Sequence, residues 1–252
     1  MIEVCALASG SNGNCYYIGN DKEAVLIDAG ISRRQIVDRM KEKSLDPSKI
    51  KAVFISHEHS DHYRGAKVLS KKLNIPIYMT KETHEKSYFT MRPTNVITFN
   101  PGETVEIGGI SIHSFSKQHD AIEPVSFRVE YNGKNIGVMT DIGAACDNVK
   151  LHLSKCDFLF LESNYDVNML ETGKYPYYLK QRVAGDQGHL SNEQAKELVE
   201  AHAGEHLKTI YLSHISEDNN RGEIALDTFK HLMDRYSIKL TSRYAACGVE
   251  KF

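Results

Sequence analysis

The segment Ser56-His57-Glu58-His59-Ser60-Asp61-His62 gathers three imidazoles and two carboxylates into one short run. In extended chain His57 and His59 project to the same side and can grip one ion, because side chains alternate with a period of two. Asp61 and His62 follow at a turn and can face a second ion. Imidazole nitrogen and carboxylate oxygen suit Zn²⁺ and are acceptable to Mn²⁺ or Fe²⁺. With 12 His in 252 residues, composition alone gives an HxHxDH run in only about one or two chains per thousand.

Three more candidate ligands stand at strand ends. His119 follows the apolar run Ile110–Phe115, Asp141 follows Asn135–Met139, and His214 follows Thr209–Leu212. Each sits where a rigid strand presents a side chain just before a turn. A second feature is Gly188-His189-Leu190-Ser191-Asn192 ahead of an amphipathic helix. Ser191 or Asn192 can cap that helix, and its first backbone N–H groups favour an anion. Both residues are therefore candidate substrate contacts, and His189 can donate a proton to a leaving oxygen. The third feature is Lys174–Arg182, which interleaves aromatic and basic residues. Tyr175, Lys180 and Arg182 are candidate contacts to bases and phosphates; the plain alternative is a helix with inward tyrosines and solvated charges. Arg33-Arg34, Lys71-Lys72 and the His202/His206 pair read as solvated helix faces.

The elements that must position these residues are short. Strands are expected at Ile2–Ala8, Cys15–Ile18, Ala24–Ile27, Lys51–Ile55, Ile75–Met79, Asn95–Phe99, Val105–Ile107, Ile110–Phe115, Ser126–Tyr131, Asn135–Met139, Phe158–Leu161 and Thr209–Leu212. Gly108-Gly109 and Asn132-Gly133 read as hairpin turns. Helices are expected at Ser32–Lys43, Arg64–Leu73, Asn192–His202 and Gly222–Tyr236. A β-rich chain with helices punctuating both halves predicts an α/β (α+β) fold, two packed sheets with helices outside (αββα), in one domain over 1–252.

Composition narrows the function classes. The chain has 31 Lys+Arg against 33 Asp+Glu, a net charge of -2, so a polyanion would need a local patch or bound metal. Hydrophobic content of 41% and charged content of 25% are those of an ordinary globular protein. No apolar run is long enough to span a membrane, and no basic start leads into a long apolar stretch. Five scattered cysteines without a CxxC suit free thiols in a reducing cytoplasm, the expected location.

The order LIDAG (Asp28), HEHSDH, His119, TDIG (Asp141) and SHIS (His214) resembles the metallo-β-lactamase fold superfamily over nearly the whole chain. The resemblance implies one ion held by His57, His59 and His119, and a second by Asp61, His62 and His214. It makes Asp141 the bridge between them and Asp28 a support behind the ligands. β-Lactamases of this fold with a full dinuclear site commonly carry Cys where Asp141 stands, which disfavours antibiotic hydrolysis. SGSNGN at 9–14, ESNYD at 162–166, YPYYLKQR at 175–182 and GHLSN resemble the WalJ/YycJ group, with Tyr165 where that group's pattern suggests His. That resemblance implies a 5′-to-3′ DNA exonuclease and a link to a cell-wall two-component system; two ions would lower the pKa of a water between them, and Asp61 would orient the hydroxide. The stretch between Asn164 and Gly188 is too short for a β-CASP domain, and no insertion suggests a tRNA-clamping arm. Two rival readings stand: a small-molecule cyclic phosphodiesterase similar to PhnP, and a weakly active metal-bound regulatory protein.

Overall fold

Runs such as Ala24-Val25-Leu26-Ile27 and Phe158-Leu159-Phe160-Leu161 leave no position for solvent, so strands made from them must be covered on both faces. The computed structural model, which describes residues 1–91 and 95–252, covers them with a second sheet on one side and helices on the other. The first half supplies β1 (Glu3–Ala8), β2 (Cys15–Gly19), β3 (Ala24–Ile27), α1 (Arg33–Glu42), β4 (Ile50–Phe54), α2 (Ser60–Tyr63), α3 (Ala66–Leu73), β5 (Ile77–Thr80), α4 (Lys81–Met91) and β6 (Val96–Phe99). The second supplies β7 (Thr104–Ile107), β8 (Ile110–Ser116), β9 (Val125–Tyr131), β10 (Lys134–Met139), α5 (Asp147–Leu153), β11 (Phe158–Glu162), α6 (Val167–Thr172), α7 (Tyr177–Ala184), α8 (Asn192–His202), β12 (Thr209–Ser213), α9 (Gly222–Thr228) and β13 (Ser237–Leu240). The chain then returns to the first sheet as β14 (Glu250–Lys251).

Among the described residues there are two seven-stranded sheets, ordered β14-β1-β2-β3-β4-β5-β6 and β13-β12-β11-β10-β9-β8-β7. Their facing sides share one apolar layer, in which Tyr16 meets Phe160 at 4.9 Å and Phe54 meets Phe127 at 5.8 Å between ring centroids. A second layer joins the first sheet to α1 and α3, and a third joins the second sheet to α5, α8 and α9. This is the expected four-layer αββα sandwich. No helix of the described residues is long and apolar enough to cross a membrane.

Local rules account for most boundaries. Ser32 and Ser191 each close a capping box, with Gln35 and Gln194, and start α1 and α8. Asn132 and Gly133 take φ of 50° and 75° between paired Tyr131 and Lys134, the geometry a tight hairpin requires. Three expectations need correction. The helix expected from Arg64 starts at Ala66, because the Gly65 amide donates to the Ala29 carbonyl at 2.8 Å and the Asp61 carbonyl accepts the Asn14 amide instead. Asp61 and His62 lie on the short helix α2 instead of a turn. The helix expected over Gly222–Tyr236 stops at Thr228; a 3₁₀ turn over Lys230–Leu232 then buries Phe229 and Leu232 in place of further α-helix.

Candidate metal centre and its cleft

The strand ends converge at one edge of the sandwich. His57, His59 and His119 place ring nitrogens within 4.8 Å of one another, and so do the ligand atoms of Asp61, His62 and His214. Asp141 joins His57 and His62 in one such group and His189, His214 and Glu162 in another. All seven residues predicted as ligands therefore meet here. Asp28, Asp141 and His214 hold φ of 60°, 55° and 54°, the left-handed region that non-glycine residues seldom occupy. The chain turns sharply at these three strand ends, and each turn sets the direction of a site side chain.

Hydrogen bonds on the outer ring nitrogens fix which nitrogen faces inward. His62 gives Nδ1 to Asp28 Oδ2 at 2.7 Å, and the other Asp28 oxygen accepts the Ser56 amide at 2.8 Å. His119 Nδ1 donates to the Gly188 carbonyl at 3.0 Å, and His214 Nδ1 meets Glu162 Oε1 at 3.0 Å. That leaves Nε2 of His119 and of His214 buried with no hydrogen-bond partner, together with Asp141 Oδ2. Buried polar atoms are nearly always paired. Three orphans aimed into one His/Asp cluster, with their outer nitrogens already anchored, are what a set of cation ligands looks like.

The charges agree. Burial opposes ionisation of Asp141, but His214 and His62 outweigh it and hold the carboxyl well below the usual range. Asp61 is likewise held low, burial being overcome by His62 and His214. Burial also resists charge on His214, yet Asp141, Asp61 and Glu162 push it up to about 10. His62 is raised against its burial by Asp141, Asp28 and Asp61. Burial, with Lys117 adding to it, drives His119 down to about 4 and His57 well below an ordinary histidine. Protons on His62 and His214 thus offset a carboxylate cluster that divalent cations would neutralise more completely. The donor set fits such ions.

A cleft of about 340 Å³ opens over the cluster, lined by His59, Asp61, His119, Asp141, His214 and His189 among others. His189 sends Nδ1 to Glu162 Oε1 at 2.9 Å. Arg182 also lines the cleft, its guanidinium forked onto Asp120. The other candidate substrate contacts do not line it. The Ser191 hydroxyl is spent on the α8 cap, and Asn192 is buried among Ser163 and Asn220. Tyr175 reaches Asp218, and Lys180 donates to the Glu171 carbonyl. Tyr165 is buried, and its carbonyl accepts the Asn192 amide.

Glu162 is a member of the cluster that sequence reasoning missed. It is fully buried at the end of β11 and accepts from the amides of Asp141, Ile142 and Leu190 as well as from His189 and His214. Burial works against its charge, but His189 and His214 hold its carboxyl down at about 2. The signal was a glutamate closing the apolar run Phe158-Leu159-Phe160-Leu161, since a charge so placed must be paired. Asn14, whose side-chain amide lies 3.2 Å from His62 Nε2, and Lys117, buried with its ammonium on the Thr140 carbonyl, were also missed.

Residues 23–215 match the family model described as the β-lactamase superfamily domain. The chain belongs to the metallo-β-lactamase fold superfamily. Within this superfamily of hydrolases it is 35% identical over 222 residues to the exodeoxyribonuclease YycJ of Bacillus anthracis, covering 87% of this chain and 84% of that protein. It is 36% identical over 224 residues to the exodeoxyribonuclease WalJ of Streptococcus pneumoniae, covering 87% and 83%. Among solved structures, the metallo-β-lactamase fold protein YhfI of Bacillus subtilis superposes with a TM-score of 0.75 at 17% identity, covering the whole of both chains. A diphosphatase of the PhnP family superposes with a TM-score of 0.72 at 19% identity, covering 100% of this chain and 98% of that one.

Proposed function

We propose that this metallo-β-lactamase-fold hydrolase is a two-ion phosphodiesterase that degrades DNA as a 5′-to-3′ exonuclease. The observation that carries the reading is a pair of donor groups, His57/His59/His119 and Asp61/His62/His214, each with a member grouped with Asp141, and with Nε2 of His119 and His214 and Oδ2 of Asp141 buried without a hydrogen-bond partner. His57, His59 and His119 would hold one ion, Asp61, His62 and His214 the other, with Asp141 common to both and Zn²⁺, Mn²⁺ or Fe²⁺ as the candidates. Bound there, divalent ions supply Lewis acidity: they lower the pKa of water and offset charge on phosphoryl oxygens. Relatives named exodeoxyribonucleases support a DNA substrate, and the motif resemblance supplies the direction.

The chain's own residues do the rest. Asp61, held ionised at the cleft wall, accepts a hydrogen bond from the attacking water and orients it. His189 is fixed through Nδ1 by Glu162, so Nε2 is the ring nitrogen left to protonate the leaving oxygen. Asp28 and Ser56 keep His62 in one orientation. Arg182 is the predicted substrate contact that reaches the cleft. The reading places the protein in the cytoplasm, and the resemblance to the WalJ group extends it to a link with a cell-wall two-component system.

The test is degradation of 5′- and 3′-end-labelled single- and double-stranded DNA and RNA by metal-reconstituted protein. Release of mononucleotides from the 5′ end of DNA, abolished by a chelator, is expected. Turnover of a cyclic nucleotide with no attack on DNA would overturn the reading.

A further inference from the structure

Arg64, Lys67, Lys71 and Lys72 belong to a stretch that holds no acidic residue from His62 to Lys81. Their spacing puts them on one helical face, and all four are exposed. Helix α1, which shares an apolar layer with α3, opens with Arg33 and Arg34 and has no acid in its first turn. That turn is the positive end of the helix dipole and is stabilised by acids, so two cations there work against the fold. Local rules of this kind are broken chiefly where function asks for it.

Arg33, Arg34 and Arg64 meet at a groove of about 640 Å³ between α1 and the start of α3, with no carboxylate in its lining. Arg33 has a buried Nε with no hydrogen-bond partner. Arg34 pairs with Asp38 at 3.5 Å in an exposed contact that holds it weakly. Arg64 donates to the Asn12 and Gly30 carbonyls at 2.7 and 2.9 Å and, like Arg33 and Lys67, has no carboxylate partner among the described residues. The same arginine ties the groove to the cleft. Its amide donates to the Ser60 carbonyl at 3.0 Å, and Ser11, Ser60 and Asp61 line the cleft. Groove and cleft therefore share a rim, made by α2 and the Ser11-Asn12 turn. In a chain of net charge -2, cations gathered without acids suit an anion, and guanidinium forks suit phosphate. Cations spread over two helices suit a ligand with many phosphates better than one with a single phosphate.

We propose that this groove seats the phosphate backbone of the DNA substrate beyond the end held at the ions, with Arg33, Arg34 and Lys67 as its contacts and Arg64 at the rim. The inference rests on the nuclease reading and adds the surface that holds the rest of the substrate. Contacts to phosphate position a nucleic acid without reading its sequence, which suits removal of nucleotides one after another. Each contact displaces counterions, so binding through the groove weakens as salt rises.

The experiment measures Kd against salt concentration for metal-reconstituted protein. The probe is a phosphorothioate-linked form of whichever DNA, single strand or duplex, the wild type degrades. Arg33→Gln/Arg34→Gln/Lys67→Gln should keep its metal and raise Kd alike for unrelated sequences. It should also flatten the plot of log Kd against log salt by about one per cation removed. Arg64 is left in place because it holds the Asn12 and Gly30 carbonyls. Lys155→Gln/Lys208→Gln/Lys230→Gln removes the same charge from exposed lysines of the second half and should keep the wild-type slope. A groove variant with wild-type Kd and slope, or a control that flattens the plot equally, would overturn the groove and leave the nuclease reading standing. A wild type that degrades no nucleic acid would remove both.

Discussion

In the first sheet three antiparallel pairings are followed by three parallel ones, and the second sheet repeats that order. On this plan β3 corresponds to β10, and an aspartate ends each: Asp28 and Asp141, both left-handed. Two residues on, Gly30 and Gly143 each let another segment approach; a Cβ would come within 1.5 Å of the Asp61 carbonyl in one case and 2.2 Å of the Asp186 carbonyl in the other. The two halves use the aspartate differently. Asp28 turns back onto Ser56 and His62, while Asp141 faces the cluster with one oxygen that has no hydrogen-bond partner. The neighbouring strand decides which. After β4 comes the histidine run, so the first half needs a support; β11 ends in Glu162, so the second half has its support and offers the aspartate. One strand-end position can serve either purpose, according to what stands beside it.

The comparison is broken most severely at the second half's support. Glu162→Gln removes the charge shared by His189 and His214 and leaves buried amides facing an NH₂ group. Its denaturation midpoint should fall at unchanged slope, corresponding to a stability loss of about the 3–5 kcal/mol typical of breaking a buried ionic network, and activity should fall with it. Asp28→Asn touches one ligand, so it should weaken metal binding by roughly 10- to 100-fold with a smaller loss of stability. Equal effects of the two substitutions would erase the proposed asymmetry.

The next test separates the ion ligands from His189. His189→Ala should keep its metal yet lose kcat on DNA by roughly 10²–10⁴-fold. A nitrophenyl phosphodiester, whose leaving group needs little protonation, should suffer much less. Equal losses on both would point to phosphate positioning by His189, and no loss on either would remove its role.

The asymmetry also explains what could be read in the sequence. The first half's candidate ligands are legible because they are contiguous: a short HxHxDH run suggests its chemistry without knowledge of the fold. His119, Asp141 and His214 are legible only as polar residues ending apolar runs, and gain meaning from the cluster. Glu162 is hidden because its partners lie 20 to 52 residues away in sequence, and no local pattern records a bond made across strands. For the same reason the buried strands were found from their apolar runs, while the half-exposed edge strand β13 and the two-residue β14 carry too few apolar positions to announce themselves. The misjudged helix after Gly222 shows apolar spacing alone failing to distinguish α from 3₁₀.

The smallest expected effect lies in the second half away from the cleft. His152 stacks on Phe115 at 4.0 Å and accepts from Arg128 at 3.4 Å. Burial and then Arg128 push its ring down to about 4, whereas in the unfolded chain it titrates near about 6.5. Between those values the unfolded state holds more protons, so this contribution is complete above pH about 6.5 and is lost as pH falls toward 4. His152→Leu should flatten that part of the acid limb in a stability–pH series; an unchanged limb would show that His152 does not contribute to it.

The central claim is that the two halves share one two-ion centre through Asp141, and metal stoichiometry tests it most directly. Elemental analysis of reconstituted wild type should find two divalent ions per chain, and Asp141→Ala should weaken retention of both. A wild type that saturates at one ion, or an Asp141→Ala chain that holds two tightly, would contradict the account.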